Sequence, residues 1–294
     1  MKKIILVALM SILIIESSFA ECTYSLNASL QDIKNWQTSN NNRFPNYPRT
    51  FELIQNIDQV DQKATGSISH LSNTPVDRYV TSKKLANFRA QYPDITKVPS
   101  NLPMIDTSVS TSGIVVLEST INVANLNIDL GAVTDSYEFG YSLIGSSQQK
   151  IELGLDIVYG KYNNNMAIQP NGDYIYITLG SFKPDGNGFT TFNELTRKFH
   201  KITIPIDGKI KVGIYVNQTT KQVGYIVNGV NYGYLNIILG NAISSIGYSA
   251  SINQNSHANS LLIGKNVTLQ LITDHSKMQL TYPSGAKDIC GTVL

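Results

Sequence analysis

The sequence predicts a mainly β protein, a two-sheet antiparallel sandwich with one or two short helices in its N-terminal third. From about residue 105 onward, apolar and polar residues alternate over segments of about four to ten residues, mostly bounded by Gly, Asn, Asp or Ser. Helical spacing over ten or more residues hardly occurs in that stretch, which argues against alternating strand and helix units and against a nucleotide-binding parallel sheet. The clearest local signal is KVGIYVNQTTKQVGYIVNGVNYGYL, residues 211–235, which alternates, turns, alternates again and turns on Asn228-Gly229. Both positions of a type I′ turn need positive φ, so Asn-Gly marks a hairpin.

In chain order, residues 1–20 read as a secretory signal peptide, with Lys2-Lys3, an apolar run from Ile4 to Ile15 and Ser18-Phe19-Ala20 before the cleavage point. Glu21 stands where a lipobox wants a small residue before Cys22, so cleavage after Ala20 is expected rather than lipidation. The run is short for a bilayer span, and no integral membrane segment follows it. An exported chain, periplasmic or secreted and of bacterial origin, is the expectation.

Residues 21–105 form an N-terminal segment expected to wrap the sandwich, with Cys22–Leu26 lying near the last strand. Ser29-Leu-Gln-Asp32 offers a capping box ahead of Ile33 and Trp36. Ser82 caps a second helix carrying Leu85 and Phe88, which must end before Pro93. TSNNNRFPNYPR and KVPSNLP read as loops.

Residues 106–294 carry the sandwich. Strands are expected at 113–118, 121–130, 137–144, 150–159, 166–169, 173–179, 199–206, 209–217, 222–228, 230–235, 243–250, 260–263 and 267–272. Ile210, Val212, Ile214 and Val216 share one face, as do Val223, Tyr225 and Val227 on the next strand, so two apolar rows can meet the opposite sheet. Tyr174 and Tyr176 are expected on one face, and so are Tyr232 and Tyr234; facing outward, such pairs make an aromatic strip, and facing inward they are core.

Cys22 and Cys290 are the two cysteines, and an even pair in an exported chain usually forms a disulfide, with two buried thiols as the alternative. A formal charge of +2, with 42% hydrophobic and 15% charged residues and no long charged run, argues against nucleic acid and anionic membranes as partners. His70, His200, His257 and His275 form no metal-ligand pattern, no G-x-S-x-G elbow occurs, and GNGF lacks the Lys of a phosphate loop. No cofactor and no metal are expected.

The 211–235 pattern resembles the paired strands of concanavalin A-like jelly-roll sandwiches, including laminin G-like and SPRY-like domains. In those a hydrophobic strand leads through a short turn to one ending in Asn-Gly or Asp-Gly, with a Gly a few residues on; here these are Asn228, Gly229 and Gly233. Over about residues 110–275 the chain also looks like small exported bacterial proteins with a domain of unknown function. The resemblance implies binding more often than catalysis, although the fold also houses glycosidases.

Retaining β-glucanases of this architecture carry Glu-x-Asp-x-Glu, or a bulged form with one more residue, on a strand. The nearest approach here is Glu152-Leu-Gly-Leu-Asp156, with Gly154 in place of the middle carboxylate and Ile157 where the bulged form needs an acid. Glu152 and Asp156 are therefore expected on a solvent-facing strand surface, with no catalytic residue assigned. A divergent polysaccharide hydrolase or lyase, using Glu152, Asp156 and Glu138, is the alternative, and a structural part of an envelope assembly is a third. Binding candidates are Tyr162 and Asn163 in GKYNNN, a stacking face beside amides, and Asp185 and Asn187 in KPDGNGF, although tight turns alone also favour these residue types. The expected partner is a glycan or a surface protein.

Overall fold

The computed structural model describes residues 24–68, 76–99, 105–126, 137–162, 172–184, 187, 190–254 and 263–294. The leader, Cys22, Asn163, Asp185, the strand expected at 166–169 and most of that at 260–263 lie outside these residues.

The described strands form two sheets. The first has the order β1 (Thr50–Leu53), β4 (Val76–Thr81), β14 (Ser245–Gln254), β7 (Tyr137–Ser146), β8 (Ile151–Tyr162), β9 (Gly172–Pro184) and β10 (Thr190–Ile202), with β5 (Thr107–Ser108) also on β14. The second has the order β13 (Val230–Ile238), β12 (Gln222–Val227), β11 (Lys209–Asn217), β6 (Ile114–Asn122), β15 (Asn266–Ile272), β3 (Lys63–Ser67) and β2 (Asn56–Asp58), with β16 (Ala286–Lys287) also on β6. Neighbours are antiparallel except β1 on β4 and β16 on β6. This is a two-sheet, mainly antiparallel β-sandwich, as the sequence predicts. Alternation puts Leu153, Leu155 and Ile157 of β8 and Ile175, Ile177 and Leu179 of β9 into one core with Val212, Ile214, Val223 and Tyr225 of the facing sheet. No helix among the described residues is long and apolar enough to cross a membrane.

Both expected caps form. In α1 (Leu30–Arg43), Ser29 accepts from the Asp32 amide while Asp32 accepts from the Ser29 amide, and in α2 (Lys83–Gln91) the Ser82 hydroxyl accepts from the Leu85 amide. Both helices lie on the outer face of the first sheet. Trp36 of α1 packs on Phe51 and Tyr79, at ring-centroid distances of 5.2 and 4.4 Å, while Leu85 and Phe88 of α2 share a cluster with Ile144, Ile151 and Phe182. They cover part of that face and leave the rest as a groove.

Several expectations change. TSNNNR of the expected loop 38–49 is the last part of α1, and the N-terminal segment, expected as helices and loops around the sandwich, supplies β1 and β4 to the first sheet and β2 and β3 to the second. The segments expected at 113–118 and 121–130 include one continuous strand, β6, because Ser119 and Thr120 pair on both sides with β11 and β15 in the middle of the sheet. Its tertiary ladder overrides the polar interruption. β10 begins at Thr190 rather than Phe199, being bonded to β9 along its whole length. The polar TTFNELTRK run belongs to a sheet edge and so lacks a core-facing signal. Tyr232 and Tyr234 occupy opposite faces: a register shift on β13 near Gly233 (φ 75°) breaks the alternation, so Tyr232 stacks on core Tyr225 while Tyr234 meets Tyr215 on the outside. The Asn228-Gly229 turn has φ of 48° and 83°, as a type I′ hairpin requires.

Candidate functional site

Register alone assembles the groove. Across the outer face of the first sheet, pairing aligns Tyr79, Ser251, Gly140, Val158, Tyr176 and Phe199 in one row. The next row holds Ser249, Ser142, Asp156, Thr178 and Arg197. The third holds Gly247, Ile144, Gly154, Gly180 and Leu195, and Phe182 and Ile95 crowd over Gly154. An aromatic row thus runs beside a polar row, and the third row closes one side. At about 4.8 Å between strands, Tyr79 and Tyr176 stand roughly 19 Å apart, the reach of a short oligosaccharide or a peptide of similar length.

Two adjoining recesses of about 210 and 220 Å³ occupy this surface and share Tyr79, Ser142, Asp156 and Thr178. The recess of about 210 Å³ is walled by Trp36 of α1, Leu85 and Arg89 of α2, and Ile95, so the N-terminal segment builds one side of it. Tyr176 and Phe199 lie 5.6 Å apart on the opposite side. Asp156 is exposed at the floor and accepts from the Ser142 hydroxyl. Desolvation by the walls raises its pKa, opposed by that hydrogen bond and by the positive charge of Arg89. The same crowding lowers the pKa of Arg89, whose guanidinium carbon lies 5.3 Å from the Trp36 ring centroid. Burial and Asp77 push the Tyr79 phenol up, so it keeps its proton as a donor.

Glu152 is not the solvent-facing residue expected. It is fully buried, accepts from the Asn241 amide at 3.0 Å and from the Asn241 side chain at 2.7 Å, and stands 3.6 Å from buried Lys150. The connection from β13 to β14 covers that end of the sheet, so an outward strand position there is interior. Glu152 and Asp156 have the four-residue spacing of the outer acids of the Glu-x-Asp-x-Glu motif, but the Glu152 carboxylate is committed to Asn241 and Lys150 rather than open to the groove. A carboxylate at 154 has little room, since a Cβ there would stand 3.3 Å from Phe182 and 3.5 Å from Ile95. Glu138 takes a register position opposite Gly160, also four residues along β8 from Asp156.

Of the loop candidates, Tyr162 ends β8 opposite Gly172, whereas Asn187 is exposed beyond Pro184, at the other end of β9. The 13 residues of β9 separate the two loops by roughly 40 Å, so they do not form one site. Asn163 and Asp185 lie outside the described residues. Among the described residues no group of three or more His, Cys, Asp or Glu could hold a metal ion. Sequence reasoning named Asp156 and Tyr176 without joining them, and it missed Trp36, Arg89, Ser142 and Thr178 as groove residues. The even spacing of Asp156 and Val158 against Tyr176 and Thr178 was the available signal, and it becomes a site only through strand register.

Among solved structures the chain is similar to the kappa-carrageenase zobellia_236 of Zobellia galactanivorans (12% identity, TM-score 0.42, 76% of this chain and 81% of that one). It is also similar to porphyranase B of the same organism (8%, 0.43, 75% and 78%) and to an endo-1,3-beta-glucanase of Streptomyces sioyaensis (8%, 0.43, 76% and 81%). No curated protein matches by sequence. A family model described as "Domain of unknown function (DUF4882)" matches residues 3–292, and the chain belongs to that family.

Proposed function

We propose that the chain is an exported, non-catalytic binding or adhesion module whose groove on the first sheet takes a saccharide. One observation carries the reading: aromatic side chains line a recess whose floor presents Ser142, Asp156 and Thr178, the mix of apolar faces and hydroxyl-matching groups that sugar rings need. The full burial of Glu152 and its commitment to Asn241 favour binding over two-carboxylate hydrolysis.

Export rests on the charged and apolar leader of residues 1–20, with periplasmic or secreted residence after cleavage at Ala20. The Cys22–Cys290 disulfide belongs to the same proposal. Its support is proximity: with its amide turned to satisfy both neighbours, Gln62 bonds the Tyr24 backbone (3.0 and 3.1 Å) and the Thr273 hydroxyl (2.9 Å). Two residues on, His275 lies 3.6 Å from Asp288, which accepts from the Cys290 amide at 2.9 Å.

The test is a glycan array probed with oxidised protein of residues 21–294, followed by reducing-sugar release on whatever is bound. Binding without release is expected. Release would make the chain a hydrolase, and retention of no glycan would overturn the saccharide reading.

A further inference from the structure

We propose, resting on the saccharide reading above, that the ligand is an anionic glycan whose acidic group seats on the Arg89 guanidinium, with Arg197 as a second cation at the rim. The chain has five arginines. Arg43 pairs with Asp94, Arg49 with Asp77 and Arg78 with Glu52, all through carboxylates of the chain itself. The remaining two both face the groove. Arg89 lines the recess beneath the helices, and Arg197 sits on the polar row opposite Thr178, one strand further out than the neighbour of Asp156. Neither forms an ion pair or a hydrogen bond with a described residue.

That difference has an energetic meaning. A guanidinium presents five donors in a plane, and removing it from water without acceptors is costly. Arg89 approaches that condition: the Trp36 indole covers one face, the surrounding walls desolvate the group, and no described residue accepts a hydrogen bond from it. Asp156 and Asp94 act on Arg89 through space without a hydrogen bond to it, so a carboxylate or sulfate of the ligand can still match its fork bidentately. Asp156 adds direction. Its carboxylate repels a ligand anion at the centre of the floor and accepts sugar hydroxyls there, so the acidic groups point toward Arg89 on one side and Arg197 on the other. Strand spacing puts Arg197 roughly 10 Å from Asp156 across the sheet. The chain's formal charge of only +2 gives little non-specific attraction for a polyanion, so selectivity has to come from these two positions.

The experiment is affinity electrophoresis of residues 21–294 at fixed salt through gels containing polygalacturonate, dextran sulfate or, as neutral controls, mixed-linkage β-glucan and dextran. Wild type, Arg89→Gln, Arg89→Lys and Arg197→Gln are compared. The expected result is at least about ten-fold tighter retention by one polyanion than by either neutral glycan, and which one separates carboxylate from sulfate. Arg89→Gln should remove that preference, Arg89→Lys should restore it only in part because it lacks the fork, and Arg197→Gln should weaken it several-fold. Melting temperatures check the fold of the Arg89 variants, and Arg197 is exposed, so its variant tests the inference independently. If neutral glycans bind as tightly and none of the arginine variants changes retention while Tyr176→Ala does, the charge inference is overturned and the saccharide reading stands. Retention of no glycan overturns both.

Discussion

At the scale of single residues, the two acids on β8 have opposite roles, and their environments assign them. Glu152→Gln should lower unfolding stability by about 1–3 kcal/mol, because a buried acceptor facing two Asn241 donors and Lys150 is weakened, and should leave ligand affinity unchanged. Denaturant melts beside a binding titration check this. Asp156→Asn should do the reverse, weakening ligand binding roughly ten-fold. Its effect on stability follows from linkage: the folded pKa is raised, so the folded chain holds the proton more tightly than the unfolded one, and ionisation at neutral pH weighs against the fold. The asparagine variant should therefore melt higher than wild type at pH 7, and the difference should shrink as pH falls through the raised pKa. The sequence placed Glu152 and Asp156 on one face correctly, but it could not say that a distant connection covers only the first of them.

Among the elements, edge strand β10 meets β12 of the facing sheet through a polar contact inside an aromatic cluster to which edge strand β13 adds Tyr232. His200 Nε2 lies 2.7 Å from the Tyr225 hydroxyl, and Tyr232 stacks on both rings. Burial and Lys198 lower the pKa of His200, while burial raises that of Tyr225 to about 12, so the neutral imidazole accepts from the phenol. A lowered folded pKa means this contribution is present above the ordinary histidine range near 6.5 and is lost as pH falls below it. Wild type should lose more melting temperature between pH 7 and pH 5 than His200→Gln, measured by scanning calorimetry. What the sequence made legible at this scale was whatever local chemistry decides: both caps, the Asn228-Gly229 turn and the alternating rows of β11 and β12. What it hid was decided by partners, as with the bulge that separates Tyr232 from Tyr234, the polar length of β10 bonded to β9, and Ser119-Thr120 held in mid-sheet.

For the whole molecule, the N-terminal segment is part of the groove, since α1 and α2 wall it and its floor comes from β7, β8 and β9. Groove residues lie more than a hundred positions apart, Trp36 facing Asp156 and Thr178, and no local pattern announces such a meeting. The proposed Cys22–Cys290 bond would tie both termini across nearly the whole chain, worth roughly 5 kcal/mol by loop-closure entropy. Reduction, or the Cys22→Ser, Cys290→Ser double variant, should lower the melting temperature markedly, with free-thiol titration reporting two thiols only after reduction.

Trp36 is the chain's single tryptophan and lines the groove, so its emission reports groove occupancy directly. The measurement that tests the central claim is a fluorescence titration of Trp36 with the oligosaccharide that the array selects. A saturable change in emission, weakened in parallel with affinity by Asp156→Asn and Tyr176→Ala, is the predicted result. Saturating binding that leaves Trp36 emission unchanged and is indifferent to both substitutions would place the ligand elsewhere and contradict the account.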